Sequence, residues 1–165
     1  MKKNQKGFSL IELLIVVAII LIIAAIAIPN LLRAKIAANE SSASGSVRTI
    51  VTAEVSYANA YGAGYGTLLQ LGSAAPCVPG TVATAAAACL IDSVLAAGLK
   101  SGYNIAAAPL GANNSGFEAA AWPQRVGVSG QRTFCAEESG VIRVDIAGGG
   151  NPGTEAACDA FPAIQ

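Results

Sequence analysis

Apolar and polar residues are first segregated along this chain and only later alternate. After Lys2, Lys3 and Lys6 comes FSLIELLIVVAIILIIAAIAIPNLLR, in which Glu12 is the only charged residue before Arg33. Residues 13–28 are sixteen consecutive uncharged apolar residues. Residues 8–32 reach the length of a membrane-spanning helix if Glu12 is tolerated. An acidic residue at the centre of a span costs roughly 2.5–3.5 kcal/mol, so Glu12 calls for a partner. From Val47 the pattern changes. Val47, Val51, Ala58 and Tyr61 recur at helical spacing, flanked by Ile50 and Tyr57, and predict a stripe facing a core with Glu54 at its edge. Ser41, Ser42, Ser44, Gly45 and Ser46 lie where helix propensity is weakest, so packing has to hold the helix there. The reading is one helix over residues 8–61, ended by Gly62, Gly64 and Gly66. Pro29 lacks an amide donor and should bend or loosen it.

Beyond the helix, residues 90–97 read as a short helical segment burying Leu90, Ile91, Val94 and Leu95 and closed by Gly98. Four strands follow, over residues 102–108, 116–123, 132–137 and 141–146. The last two flank a hairpin turn at Glu138-Ser139-Gly140, with Glu137 and Glu138 as surface charges beside it. Alternation in the last strand places Ile142, Val144 and Ile146 inward and Arg143 and Asp145 outward. Residues 148–165 read as an exposed tail loop. The simplest architecture is α+β, a long N-terminal helix packed against an antiparallel four-stranded sheet.

Composition removes several functional classes. Basic and acidic residues balance at 10 each, charged residues are 12% of the chain, and there is no histidine. No basic patch with interleaved aromatics points to nucleic acid. No serine sits in a Gly-x-Ser-x-Gly elbow, and no Cys-x-x-Cys-His haem site occurs. The glycines at 62, 64 and 66 lack the strand, helix and terminal lysine of a phosphate loop. Asp145, Glu155 and Asp159 could offer oxygen ligands to calcium but form no recognisable loop. The expectation is therefore no catalytic residue, no cofactor, no metal and no enzymatic activity. Cys77, Cys89, Cys135 and Cys158 all follow the apolar run. Their even number favours two disulfides, with three pairings open. Close Cys-x(2–4)-Cys spacing is absent, which argues against zinc.

Gly7-Phe8-Ser9-Leu10-Ile11-Glu12-Leu13, behind a short basic leader and ahead of an apolar helix containing Pro29, resembles the processing site of type IV prepilins and of the related secretion pseudopilins. The resemblance is strong over residues 1–33. It implies that a prepilin peptidase removes residues 1–7 after Gly7 and methylates the new N-terminal Phe8. The freed amine would lie four residues before Glu12, on the same helical face. Glu12 would be required for subunits to enter a filament. Pro29 would mark a point where the helix can bend or lose order. Residues 8–61 would form the long helix, membrane-spanning in its first half, and residues 62–165 a globular head. Among the pairings, Cys77–Cys89 and Cys135–Cys158 are favoured, the second matching the C-terminal disulfide-bonded loop of many pilins. Loss of the three leader lysines would leave 7 basic against 10 acidic residues, a net charge of −3.

The resemblance thus implies a structural subunit of a type IV pilus. Its partners would be copies of itself, the peptidase and methylase, the pilus assembly machinery and, before assembly, the bacterial inner membrane. Its final location would be the extracellular filament. The alternatives are a pseudopilin of a type II secretion system or a membrane-anchored binding module. A conventional signal peptide cut after Ala25-Ile26-Ala27 is disfavoured by Glu12 and by the length of the run.

Overall fold

The computed structural model describes residues 8–73, 76–153 and 155–164, the side chains of Glu155 and Ala156 apart. The leader, Gly7 included, lies outside the described residues. The chain divides into two compact units, residues 1–35 and 36–165. Helix α1, Leu10–Tyr61, is 52 residues long and continues through Pro29. In the first unit every large apolar side chain from Phe8 to Leu32 is exposed. Among the described residues α1 is the one helix long and apolar enough to cross a membrane.

In the second unit the rest of α1 packs against an antiparallel sheet of β1 (Leu99–Lys100), β2 (Tyr103–Leu110), β3 (Gly116–Pro123), β4 (Thr133–Glu137) and β5 (Arg143–Asp145), in that spatial order. Between α1 and the sheet lie α2 (Leu68–Leu71) and α3 (Ser93–Ala96), and α4 (Glu155–Asp159) follows the sheet. One sheet face presents Tyr103, Ile105, Ala107, Phe117, Ala119, Ala121, Phe134 and Ala136 to a core shared with Val47, Ile50, Ala53 and Tyr57 of α1. The alanines of β2 and β3 are poor strand formers. Their small side chains let the helix lie close, while Tyr103, Ile105 and Phe117 carry most of the buried apolar surface.

The serine-rich stretch of α1 stays helical because polar contacts fasten it to the head. Glu40 accepts the Gln131 and Arg132 backbone N–H groups at 2.9 and 3.2 Å, and the Arg132 Nε and Nη2 atoms at 2.9 and 2.7 Å. Such charge-assisted, forked bonding satisfies a carboxylate that is otherwise buried. Asn39 Nδ2 donates to the Ser129 carbonyl at 2.8 Å, and the Ser42 and Ser101 hydroxyls lie 3.0 Å apart.

Several sequence expectations need correction. The sheet has five strands, not four. The added strand β1 pairs Leu99 with Asn104 and Lys100 with Tyr103. Two residues carry no periodicity; the tight turn through Ser101 and Gly102, both at positive φ, creates the pairing. The buried stripe of α1 is also rotated from the expected one. Ile50 and Tyr57 are central, Val51, Ala58 and Tyr61 lie at the margin, and Glu54 is 0% exposed. Helix α3 spans only four residues, since Asp92 caps it by accepting the Leu95 N–H at 2.8 Å. Ile91, Leu95 and Ala96 are buried there, whereas Leu90 and Val94 are exposed.

At the other end of the sheet, β5 stops at Asp145, whose carboxylate accepts the N–H groups of Ala147 and Gly149 and turns the chain. Ile146 is consequently 73% exposed, and Val144 is only half-buried. Arg143 is not a free outward charge, because it pairs with Glu137 and Asp159. Glu137 is buried, not a surface charge. Nor is the tail a free loop. Val144 N–H donates to Pro162 and Ile164 N–H to Ile142, both at 2.9 Å, so the tail covers the outer edge of β5. Phe161 and Cys158 pack with Ala120, Trp122 and Cys135 on the sheet face away from α1.

The structure bonds Cys77 to Cys89 and Cys135 to Cys158. Closing loops of these lengths contributes about 2–4 kcal/mol each. We expect Cys135→Ser/Cys158→Ser to lower stability in chemical denaturation by about that amount and to open residues 151–161 to limited proteolysis. The Cys77→Ser/Cys89→Ser variant should lose similar stability while its tail stays protected.

Candidate functional site

The chemistry singled out in the sequence converges on the first turn of α1. Ser9 stands at the N-cap, and its backbone N–H donates to Glu12 Oε2 at 2.9 Å. The Leu13 N–H closes the first turn on the Ser9 carbonyl at 3.3 Å. Glu12 therefore occupies the third helical position and reaches back to the N-cap, one half of a capping box. A carboxylate there also complements the positive end of the helix dipole. The Ser9-x-x-Glu12 pattern before an apolar run is legible in the sequence as a cap, a role that needs no opposite charge and that the reading of Glu12 as half of an ion pair missed. Phe8 is 80% exposed beside this turn. Glu12 is thus an exposed acid on an all-apolar helix end, with one oxygen engaged by its own backbone. Pro29 lies 17 residues further on within the same continuous helix.

The head holds buried acids that the sequence reading missed. Glu118 and Glu137 face each other across β3 and β4 on the sheet face beneath the tail. Burial raises both carboxyls from their ordinary value. For Glu118 the Gly153 N–H, donated at 3.2 Å, works against that rise. For Glu137 the nearby Asp159 charge adds to it and Arg143 opposes it. The one hint available in sequence was the strict alternation of β4, which sends Glu137 to the same face as Cys135.

Among the described residues no group of three metal-ligating side chains comes together. Of the calcium candidates, Asp145 accepts from its own turn and Asp159 pairs with Arg143 at 2.7 Å, while the Glu155 side chain lies outside the described residues. A surface groove of about 380 Å³ runs between α1 and the sheet edge past Ser41, Ser44, Arg48 and Phe134. Its acid, Glu40, is already bound to Arg132.

Comparison with known proteins finds a family match in the same N-terminal region and two similar proteins. Residues 2–28 match the family described as the prokaryotic N-terminal methylation motif. The chain is 44% identical over 73 residues to the "type IV wide pilus major component PilA4" of Thermus thermophilus, covering 42% of this chain and 56% of that protein. It is 48% identical over 54 residues to the "type IV major pilin protein PilA" of Myxococcus xanthus, covering 33% of this chain and 24% of that protein. The chain thus spans just over half the length of the first relative and about a quarter of the second. No solved structure matches it significantly. The methylation motif, a similarity to pilins that runs past that motif, and a long helix packed against an antiparallel sheet agree in what this chain is similar to, the type IV pilins.

Proposed function

We propose that this chain is a structural subunit of a type IV pilus, made as an inner-membrane precursor and assembled into an extracellular filament. The observation that carries the reading is the identity to two pilus proteins, which reaches well beyond the shared methylation motif. That reach favours a pilus subunit over a secretion pseudopilin, since the motif alone would serve both. The exposed apolar surface of residues 8–32 supports it physically. So large an apolar surface is stable only in lipid or against other apolar helices. In the membrane each helix has lipid around it; in the filament, neighbouring copies take the place of lipid.

Processing fits the same account. The leader carries three of the chain's basic residues and would keep the N terminus on the cytoplasmic side. A prepilin peptidase would cut after Gly7 and methylate Phe8. The amine so formed is the cation that Glu12 lacks. Its own chain could use it, but Glu12 already accepts the Ser9 N–H. The acid's second oxygen remains open to the amine of an adjacent copy. Pro29 would be the point where α1 adjusts during packing, because the carbonyl one turn before a proline has no amide donor to receive.

Two outcomes follow for the N terminus. Intact-mass analysis of the wild-type protein should show loss of residues 1–7 and one added methyl group on Phe8. Gly7→Leu should retain the whole leader, because the peptidase must approach the backbone closely at that residue; normal trimming of Gly7→Leu would remove the assignment of the cleavage site.

For Glu12 the decisive comparison uses two variants. Glu12→Gln keeps an acceptor for the Ser9 N–H and loses the charge. Glu12→Ala loses both and should fray the first turn by about 1 kcal/mol. If the charge recruits subunits, Glu12→Gln should accumulate full amounts of membrane-bound subunit and yield few or no sheared surface filaments. If Glu12 serves only as a cap, Glu12→Gln should assemble normally and only Glu12→Ala should fail.

A further inference from the structure

Glu54 has no place in the assembly account, yet it is the least expected residue of the head. It sits in the middle of the buried stripe of α1, 0% exposed, between Ile50 and Tyr57. One carboxylate oxygen, Oε2, accepts the Gly66 N–H at 2.9 Å. The other, Oε1, is buried and has no hydrogen-bond partner. No arginine or lysine forms an ion pair with it; the salt bridges of the described residues all lie elsewhere. An ionised carboxylate held by one amide in an apolar core is expensive, and such a group takes up a proton instead.

Among the described residues around it, no charge balances it. On α1 the neighbouring titratable groups are the phenols of Tyr57 and Tyr61, whose rings lie 5.0 Å apart. From the connector comes Tyr65, whose ring meets that of Phe117 of β3 at a tilt of 55°. Helix α2 has no charged residue. The inward sheet face adds Ile105, Ala107, Phe117, Ala119, Phe134 and Ala136, and one further phenol, Tyr103, whose hydroxyl donates to the Arg132 carbonyl. Burial accordingly pushes the Glu54 carboxyl up to about 7, with the Gly66 amide working in the opposite direction.

What Glu54 holds is the segment that joins helix to sheet. Gly66 is pressed so close that a Cβ there would stand 3.1 Å from the Tyr57 ring. Thr67, the next residue, opens α2 with a capping box to Gln70. The Gln70, Leu71 and Gly72 carbonyls then accept the N–H groups of Ala88, Leu90 and Cys89, which fixes one end of the Cys77–Cys89 loop. One turn past Glu54, the Tyr57 hydroxyl donates to the Ala85 carbonyl at 2.6 Å and holds the middle of that loop. The connector, α2 and the disulfide loop thus hang on two adjacent turns of α1.

We propose that Glu54 is a pH-sensitive latch, which holds residues 62–67 and, through them, the Cys77–Cys89 loop against α1 when protonated and loosens them when ionised. Because the folded carboxyl binds its proton more tightly than a solvated one, the latch contributes fully below about pH 4.5 and is lost as pH rises through about 7. The surface that this loop presents therefore changes in order near neutrality, independently of how the chain assembles.

The test is hydrogen exchange, read by mass spectrometry on the full chain in detergent micelles, with rates corrected for intrinsic chemical exchange. Between pH 5 and 8, opening of peptides covering residues 62–67 and 76–89 should rise on the order of tenfold or more in the wild type, while β3 and β4 peptides change less. In Glu54→Gln the rise across the same interval should vanish, whatever the absolute protection. An equal rise in both proteins overturns the latch, as does an unchanged wild type. Should Glu54→Gln fail to fold, direct titration of the Glu54 carboxyl carbon by NMR in the wild type decides. A midpoint near 7 supports the latch, and one near 4.5 overturns it.

Discussion

A single helix has to satisfy two different solvents. The backbone of α1 forms one hydrogen-bonded ladder over 52 residues, but only residues from about 40 onward find a protein core. There Val47, Ile50 and Tyr57 are removed from water almost completely, each contributing roughly 1.5–3 kcal/mol. The earlier turns present leucine and isoleucine on every side and are covered by none of the described residues. Everything else follows from that division. The head must grip the helix firmly enough to fix its register, and the apolar half stands exposed among the described residues.

The grip is polar as well as apolar. Glu40 with Arg132, Asn39 with Ser129 and Ser42 with Ser101 fasten the stretch whose local propensity is poorest. Buried polar contacts of this kind have strict geometry, so they define one register of helix on sheet where alanine-rich strands alone would permit several. On the reverse face the tail plays the matching part. It is joined to β4 by a disulfide and to β5 by Arg143 and two backbone hydrogen bonds, and it shields an edge that would otherwise offer unpaired N–H and C=O groups.

Charge is used sparingly and with consequence. With charged residues only 12% of the chain, each buried acid stands out. Glu40 is fully matched by donors, Glu118 and Glu137 are partly matched, and Glu54 is matched by a single amide. These differences separate a fixed clamp from carboxyls that are buried with few donors. Glu12 belongs to neither set. It is exposed, it already caps its own helix, and it leaves one oxygen for a second partner.

Sequence alone indicated the likeness to pilins, the long helix with its apolar N-terminal half, the antiparallel meander and the even set of cysteines that pair. These are carried by long uninterrupted patterns or by local motifs that depend little on distant residues. Tertiary structure decided the rest. The buried stripe turned to centre on Ile50, Glu54 and Tyr57 because the head wraps the helix from that side, and a glutamate in the stripe gives no hydropathy signal of burial. The two-residue β1 exists because a turn folds it onto β2. Arg143 and Glu137, charged and alternating like surface residues, became covered once the tail crossed the sheet. Periodicity along a chain reports which residues share a face; which face is covered depends on what arrives from elsewhere in the fold.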